Sequence, residues 1–180
     1  DLQESLVALL GEPITEPPRR LKTALENFLT ATVDGRPKKA GEGVFVYEPR
    51  WGTLIGYPAS FGSDIELNDH HFHFGYFLRA AGVLGRRDPA WLARWRPMVD
   101  LLVRDIASGD RADPLFPYLR CFDPYAGHSW ASGHGRFGDG NNQESSSESI
   151  NAWYGMLMLA EVIGDQALRD QAAWLLSTEV

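Results

Sequence analysis

The chain has 180 residues, 44% hydrophobic and 23% charged, the balance of a folded domain rather than a disordered or fibrous one. Its 17 Lys and Arg against 24 Asp and Glu give a net charge of −7 without a basic cluster, which argues against a nucleic acid partner. No apolar run reaches the roughly 18 residues that span a bilayer. The single cysteine, Cys121, excludes an internal disulfide and a cysteine-based zinc finger.

The chain opens at Asp1 without Met, shows no signal peptide, and ends at Val180 inside a helical pattern of Leu168, Ala172, Leu175 and Leu176. The expectation is a segment of a longer protein. Residues 1–18 stand apart as an N-terminal segment of unassigned fold. A short apolar helix pattern, Leu2 to Leu10, runs into the breakers Gly11, Pro13, Pro17 and Pro18. Arg19 to Thr30 reads as an amphipathic helix through Leu21, Leu25, Phe28 and Leu29. From Val33 to Asn68 the composition turns to glycine (Gly35, Gly41, Gly43, Gly52, Gly56, Gly62), proline and aromatics, and the short apolar alternations Val44, Val46 and Leu54, Ile55 suggest brief strands or extended loop. Long loops of this kind tend to carry function.

Asp69 to Leu84 is predicted helical, with Asn68 as N-cap and Gly85 as stop. Pro89 opens a second helix to about Ala107, with Trp91, Leu92, Trp95, Met98, Val99, Leu102 and Ile106 on one stripe. Residues 108–143 form a second loop rich in Gly, Pro and aromatics. Helix returns from about Glu144 to Ile163, stops at Gly164 and restarts after Asp165. The run from Ala80 to Gly85 aligns with that from Leu159 to Gly164 at an offset of 79 residues. The unit is thus a long loop followed by a helical hairpin, and stacked hairpins gather their loops at one end. The predicted fold is all-α: part of an α/α toroid.

The same offset carries Asp69 onto Glu148. Two carboxylates from neighbouring helices facing one cleft suit glycoside hydrolysis, in which one must hold a proton and the other must be ionised. The loop aromatics Trp51, Tyr57, Phe61, Tyr118, Phe122, Tyr125, Trp130 and Phe137 offer flat faces for sugar rings, and Asn141, Asn142 and Gln143 offer amides. Plainer roles compete. Asp69 at a helix start complements the dipole for about 0.3–1 kcal/mol. Glu148 closes a capping box with Ser145. Glu144 and Glu148, four apart on one helix face, repel each other, which raises the pKa of at least one. His70, His71 and His73 share one turn, and H-x-x-H with one acid is a weak metal signature. His73 and Tyr76 follow Asp69 along its face and read as groups that contact a ring or orient the acid. The stretch Asp139 to Gln143 fails the EF-hand template. No phosphate loop, dinucleotide fingerprint or nucleophile elbow is present. Cys121 reads as an inert thiol.

Two long motifs carry a family resemblance. Asn68-Asp69-His70-His71-Phe72-His73-Phe74-Gly75-Tyr76, followed by Gly140-Asn141-Asn142-Gln143-Glu144-Ser145-Ser146-Ser147-Glu148-Ser149-Ile150-Asn151-Ala152, resembles the glycoside hydrolase family 81 endo-β-1,3-glucanases. The resemblance runs from about Thr23 to the end. It implies an extracellular or cell-wall enzyme that cuts β-1,3-glucan internally with inversion. It also implies that residues 19–180 are an incomplete part of a catalytic (α/α)6 barrel. It makes Asp69 the general acid and a glutamate of the E-S-S-S-E motif the base. The offset favours Glu148, with Glu144 as supporting carboxylate or alternative base. His73, Tyr76, Trp130, His134, Asn142 and Gln143 are the expected substrate contacts, and neither metal nor cofactor is implied. An inverting pair is expected about 6.5–9.5 Å apart. Two readings compete: a β-glucan-binding module without turnover, and a toroid enzyme acting on another polysaccharide. Assays of hydrolysis beside binding separate them.

Overall fold

The structure is a computed structural model that describes residues 44–180. The expected helix at Arg19–Thr30, the segment 1–18 and the glycines at 35, 41 and 43 lie outside the described residues. A hairpin of β1 (Val44–Glu48) and β2 (Thr53–Tyr57) comes first, antiparallel with Val46 opposite Ile55. Gly52 turns it at φ 56, where a Cβ would stand 2.7 Å from the Leu115 carbonyl oxygen, so only glycine fits. Phe45 packs edge-on against Phe74 and Phe77, each at 5.3 Å. The hairpin is thereby seated on the helices.

Four helices follow in two hairpins: α1 (His70–Arg87) with α2 (Pro89–Ala107), and α3 (Ser146–Ile163) with α4 (Gln166–Glu179). Each joint uses the same chemistry. Asp88 caps α2 by accepting from the Trp91 N–H at 2.9 Å, and Asp165 caps α4 by accepting from Leu168 at 3.0 Å. Between the hairpins, β3 (Phe122–Asp123) and β4 (His128–Ser129) form a minimal antiparallel pair. The stripe predicted for α2 is buried throughout, and Trp153, Met156 and Leu159 of α3 meet it in one core with Ala172 and Leu175 of α4. Among the described residues no helix is long and apolar enough to cross a membrane.

Three expectations are corrected. Asp69, not Asn68, occupies the cap position of α1, in the left-handed region at φ 60. Gly85 does not stop the helix, which runs on to Arg87; the site of a Gly85 Cβ is filled by the Leu92 side chain, 2.4 Å away. Gly85 is a close-packing residue, whereas Gly164 is a true left-handed C-cap at φ 70. The offset of 79 therefore aligns two glycines of different function and is not the packing register.

That register is read from the contact between α1 and α3, which lie side by side and run the same way. A Cβ on Gly75 would meet Ala152 at 2.6 Å, one on Gly155 would meet Arg79 at 2.8 Å, and one on Gly82 would meet Met158 at 3.1 Å. Neighbours across the interface therefore differ by 76 or 77 residues. Gly75→Val should cost about 1–3 kcal/mol or more, because its new atoms meet Ala152 backbone rather than a flexible side chain. Gly135→Ala, with open space around it, should stay within about 0.5 kcal/mol. Thermal unfolding of the intact protein checks the contrast; equal melting of the two variants would deny that α1 and α3 touch there.

Candidate active site

The parallel contact brings the starts of α1 and α3 together, and the acids stand at those starts. Asp69 donates its backbone N–H to the Ala131 carbonyl at 2.8 Å, and Ala131 donates its own to the Asn142 carbonyl at 2.9 Å. One loop residue thus ties the segment before α1 to the segment before α3. Both segments carry an acid in the left-handed region, Asp69 at φ 60 and Glu144 at φ 55. Non-glycine residues rarely rest there, and such strain collects at functional sites.

Neither acid first weighed in the sequence serves its own helix. The Asp69 side chain makes no capping hydrogen bond. Its Oδ2 accepts from Asn68 Nδ2 at 2.7 Å, while its Oδ1 is buried without a partner among the described residues. Glu148 lies in the first turn of α3, but the capping box does not form: Ser145 makes no side-chain cap bond. Instead Glu148 Oε1 accepts from the Tyr76 hydroxyl at 2.9 Å, across from α1. Glu144 is exposed and, among the described residues, no side chain donates to it.

The electrostatics follow from this crowding. Burial pushes the Asp69 carboxyl up to about 6, and the negative charge of Glu144 adds to that. The Asn68 hydrogen bond works in the opposite direction, and Glu148 is a weaker negative neighbour than Glu144. Burial raises the Tyr76 phenol, as does the bond to Glu148, and burial lowers His73 with help from His70. His73 and Tyr76 line a cavity of about 310 Å³ with Phe45, Phe74 and Phe77. The ring of Phe61, 83% exposed, lies 6.0 Å from the His73 ring.

The three histidines of one turn point to three places, which removes the metal pattern. His70 borders the cavity but commits its Nδ1 to Asp105 at 2.8 Å, the fully buried His71 stacks on Trp153 at 5.9 Å, and His73 lines the cavity beside Tyr76. The remaining expected contacts are in part committed to the loop itself. The Trp130 indole donates to Asp123 at 3.2 Å, His134 pairs with Glu66 at 3.3 Å, and Asn142 donates to Asp139 at 3.2 Å. The Gln143 amide donates to Glu179 at 3.1 Å. Cys121 is buried and its thiol is pushed up to about 12, so it stays protonated.

Two buried carboxylates escaped the sequence reading. Asp105 accepts from Thr53 Oγ1 at 3.0 Å, Leu54 N–H at 2.8 Å and the His70 ring, and Arg120 lies beside it, so it fastens β2 and the loop to the first turn of α1. Glu179 accepts from the Ser129 N–H and hydroxyl, both at 2.9 Å, the Trp153 indole at 3.2 Å and Gln143, next to Glu144. Each had a signal. Asp105 falls between Leu102 and Ile106 on the apolar stripe of α2, and Glu179 extends the stripe of Ala172 and Leu175. An acid on an apolar stripe is held by donors.

Two helical hairpins whose loop ends bring Asp69, Glu144 and Glu148 to one side, next to an aromatic cavity, define a helical domain with a cluster of carboxylates at its loop end. The family model for the glycosyl hydrolase family 81 C-terminal domain matches residues 10–180, and the chain belongs to that family. It is 56% identical over 162 residues to a glucan endo-1,3-beta-D-glucosidase of Acetivibrio thermocellus, covering 89% of this chain and 20% of that protein. It is 50% identical over 161 residues to one of Thermobifida fusca, covering 88% and 21%. A solved glycoside hydrolase family 81 structure from Clostridium thermocellum, CtLam81A in a mutant form, superposes with a TM-score of 0.81 at 53% identity over 89% of this chain and 22% of that one. The chain spans about a fifth of the length of the curated relatives it matches.

The raised Asp69 pKa has a stability consequence. In the unfolded chain its pKa is near 3.8, and in the folded protein about 6. The folded state therefore holds the proton more tightly, so its advantage is complete below about pH 4 and is lost as pH rises through 6. Asp69→Asn, which mimics the neutral acid, should be more stable than the parent by about 1–3 kcal/mol at pH 8, with the gap closing below pH 4. Melting curves of both proteins across that range test this; a gap independent of pH would contradict it.

Proposed function

We propose that the protein carrying this segment hydrolyses β-1,3-glucan internally with inversion of the anomeric centre, without metal or cofactor, outside the cell or at a glucan-bearing wall. The described hairpins are then part of a larger (α/α)6 barrel. The observation that carries this reading is the Asp69 carboxyl. Burial and its like-charged neighbour keep it protonated to about pH 6, at the mouth shared by α1 and α3, in a chain of glycoside hydrolase family 81.

In this reading Asp69 gives its proton to the glycosidic oxygen as the bond from that oxygen to the anomeric carbon breaks. A glutamate takes a proton from water, and the water oxygen bonds the anomeric carbon from the opposite face. Electrostatics favour Glu144 as that base. The offset of 76–77 carries Asp69 onto Ser145 and Ser146, between the two glutamates, and Glu144 is the stronger negative neighbour of Asp69. Its carboxylate is exposed and receives no hydrogen bond among the described residues, which leaves its lone pairs for water. Glu148, the base favoured by the 79-residue offset, is engaged by Tyr76 and becomes the supporting carboxylate. His73, Tyr76 and the Phe61 ring offer the nearest contacts to sugar, with Trp130, His134, Asn142 and Gln143 shaping the loop behind them.

In the intact enzyme, Asp69→Asn and Glu144→Gln should each lower kcat on laminarin by about 10²–10⁴-fold while glucan binding persists. Glu148→Gln should be the milder variant. NMR of the first-formed product should show the α-anomer. Near-parental turnover by Asp69→Asn would remove the acid, a milder effect for Glu144→Gln than for Glu148→Gln would exchange the two glutamates, and a β-anomer product would exclude inversion.

A further inference from the structure

Asn68 is buried one residue before Asp69, and one amide nitrogen serves two partners there. Nδ2 lies 3.2 Å from the Phe61 carbonyl oxygen and 2.7 Å from Asp69 Oδ2. The Phe61 carbonyl can only accept, so the nitrogen end of the amide must face this side, and its two hydrogens match two acceptors. A protonated carboxyl has one hydroxyl oxygen and one carbonyl oxygen. Oxygen Oδ2, already accepting from Asn68, is the carbonyl one. The proton then sits on Oδ1, the oxygen with no partner among the described residues.

We propose that Asn68 is the positioning residue of the acid: it sets the carboxyl orientation, makes Oδ1 the proton-bearing oxygen, and tethers Asp69 to the segment that presents Phe61. This rests on Asp69 being the acid. Phe61 holds a left-handed backbone at φ 54 with its ring exposed 6.0 Å from the His73 ring, so the same amide that orients the acid also holds the backbone that presents this aromatic face. Titratable groups surround the carboxyl on every side: Glu144 and Glu148 from the start of α3, His70 on α1, and the Cys121 thiol on the intervening loop. Asn68 is the neutral donor among them. Without it the carboxylate faces two negative neighbours with no direct hydrogen bond, and ionises less readily.

The test is the pH profile of kcat on laminarin for the intact enzyme, comparing the parent with Asn68→Ala, Asn68→Asp and Asp69→Asn. Loss of the donor should move the alkaline limb of Asn68→Ala upward by about one pH unit, while the acid limb, set by the base, stays in place. Asn68→Asp keeps the shape but replaces the donor with an acid, so it should move that limb further and lower the plateau. General structural damage lowers a profile without displacing one limb. An alkaline limb at the parental position in both variants overturns the proposal. If Asn68→Ala does not fold, the isosteric Asn68→Asp decides alone, and an unmoved limb or activity lost at every pH there overturns it. Turnover by Asp69→Asn instead sinks the acid assignment itself, a different failure.

Discussion

The close parallel contact of α1 and α3 is the constraint on which the rest of the structure depends. Gly75, Gly82 and Gly155 remove side-chain thickness at three successive levels, so the two backbones approach until Ala152, Met158 and Arg79 fill the space. Glycine inside a helix costs about 1 kcal/mol of propensity relative to alanine. Here that cost is offset by packing that only the absence of a Cβ permits. Because both helices run the same way, their N-terminal ends open on the same side. Two loops of very different sequence then deliver their acids to one place, with Ala131 as the backbone link between them.

Much of the fold was legible in the sequence because helical hairpins announce themselves locally. Pro89 begins α2, Gly164 ends α3, and Asp165 caps α4 as the residue types predict. The stripe from Trp91 to Ile106 is buried as its spacing requires. The errors came where one residue type has two uses. Gly85 reads as a helix stop, yet the helix runs two residues past it, and its missing Cβ leaves room for Leu92. Asn68 reads as an N-cap, yet its amide turns to a carboxylate and a carbonyl instead of the helix. Pattern rules describe what a residue offers its own segment; here tertiary neighbours claim it first.

The misread glycine had a consequence for the site. Aligning Gly85 with Gly164 sets the offset at 79 and pairs Asp69 with Glu148. Packing sets it at 76–77 and brings Ser145 and Ser146, between the two glutamates, opposite Asp69. A shift of two or three residues is most of a helical turn, enough to change which side chain of that stretch lies opposite Asp69. The motifs single out the three carboxylates, but which glutamate acts more strongly on Asp69 is a property of the interface.

Three acids are buried in the described residues at or behind these helix starts, and their surroundings separate structure from chemistry. Asp105 accepts from a hydroxyl, a backbone amide and an imidazole, with a guanidinium at its side. Glu179 accepts from a backbone amide, a hydroxyl, a side-chain amide and an indole. Such saturation uses the lone pairs that a reaction would need. Asp69 has one side-chain donor, one oxygen without a partner among the described residues and two like-charged neighbours, an arrangement that favours the neutral carboxyl. A fold built only for stability would complete the shell around Asp69 as it does around the other two. The incomplete shell is maintained by the two complete ones, since Asp105 fixes the first turn of α1 and Glu179 fixes the residue before Glu144.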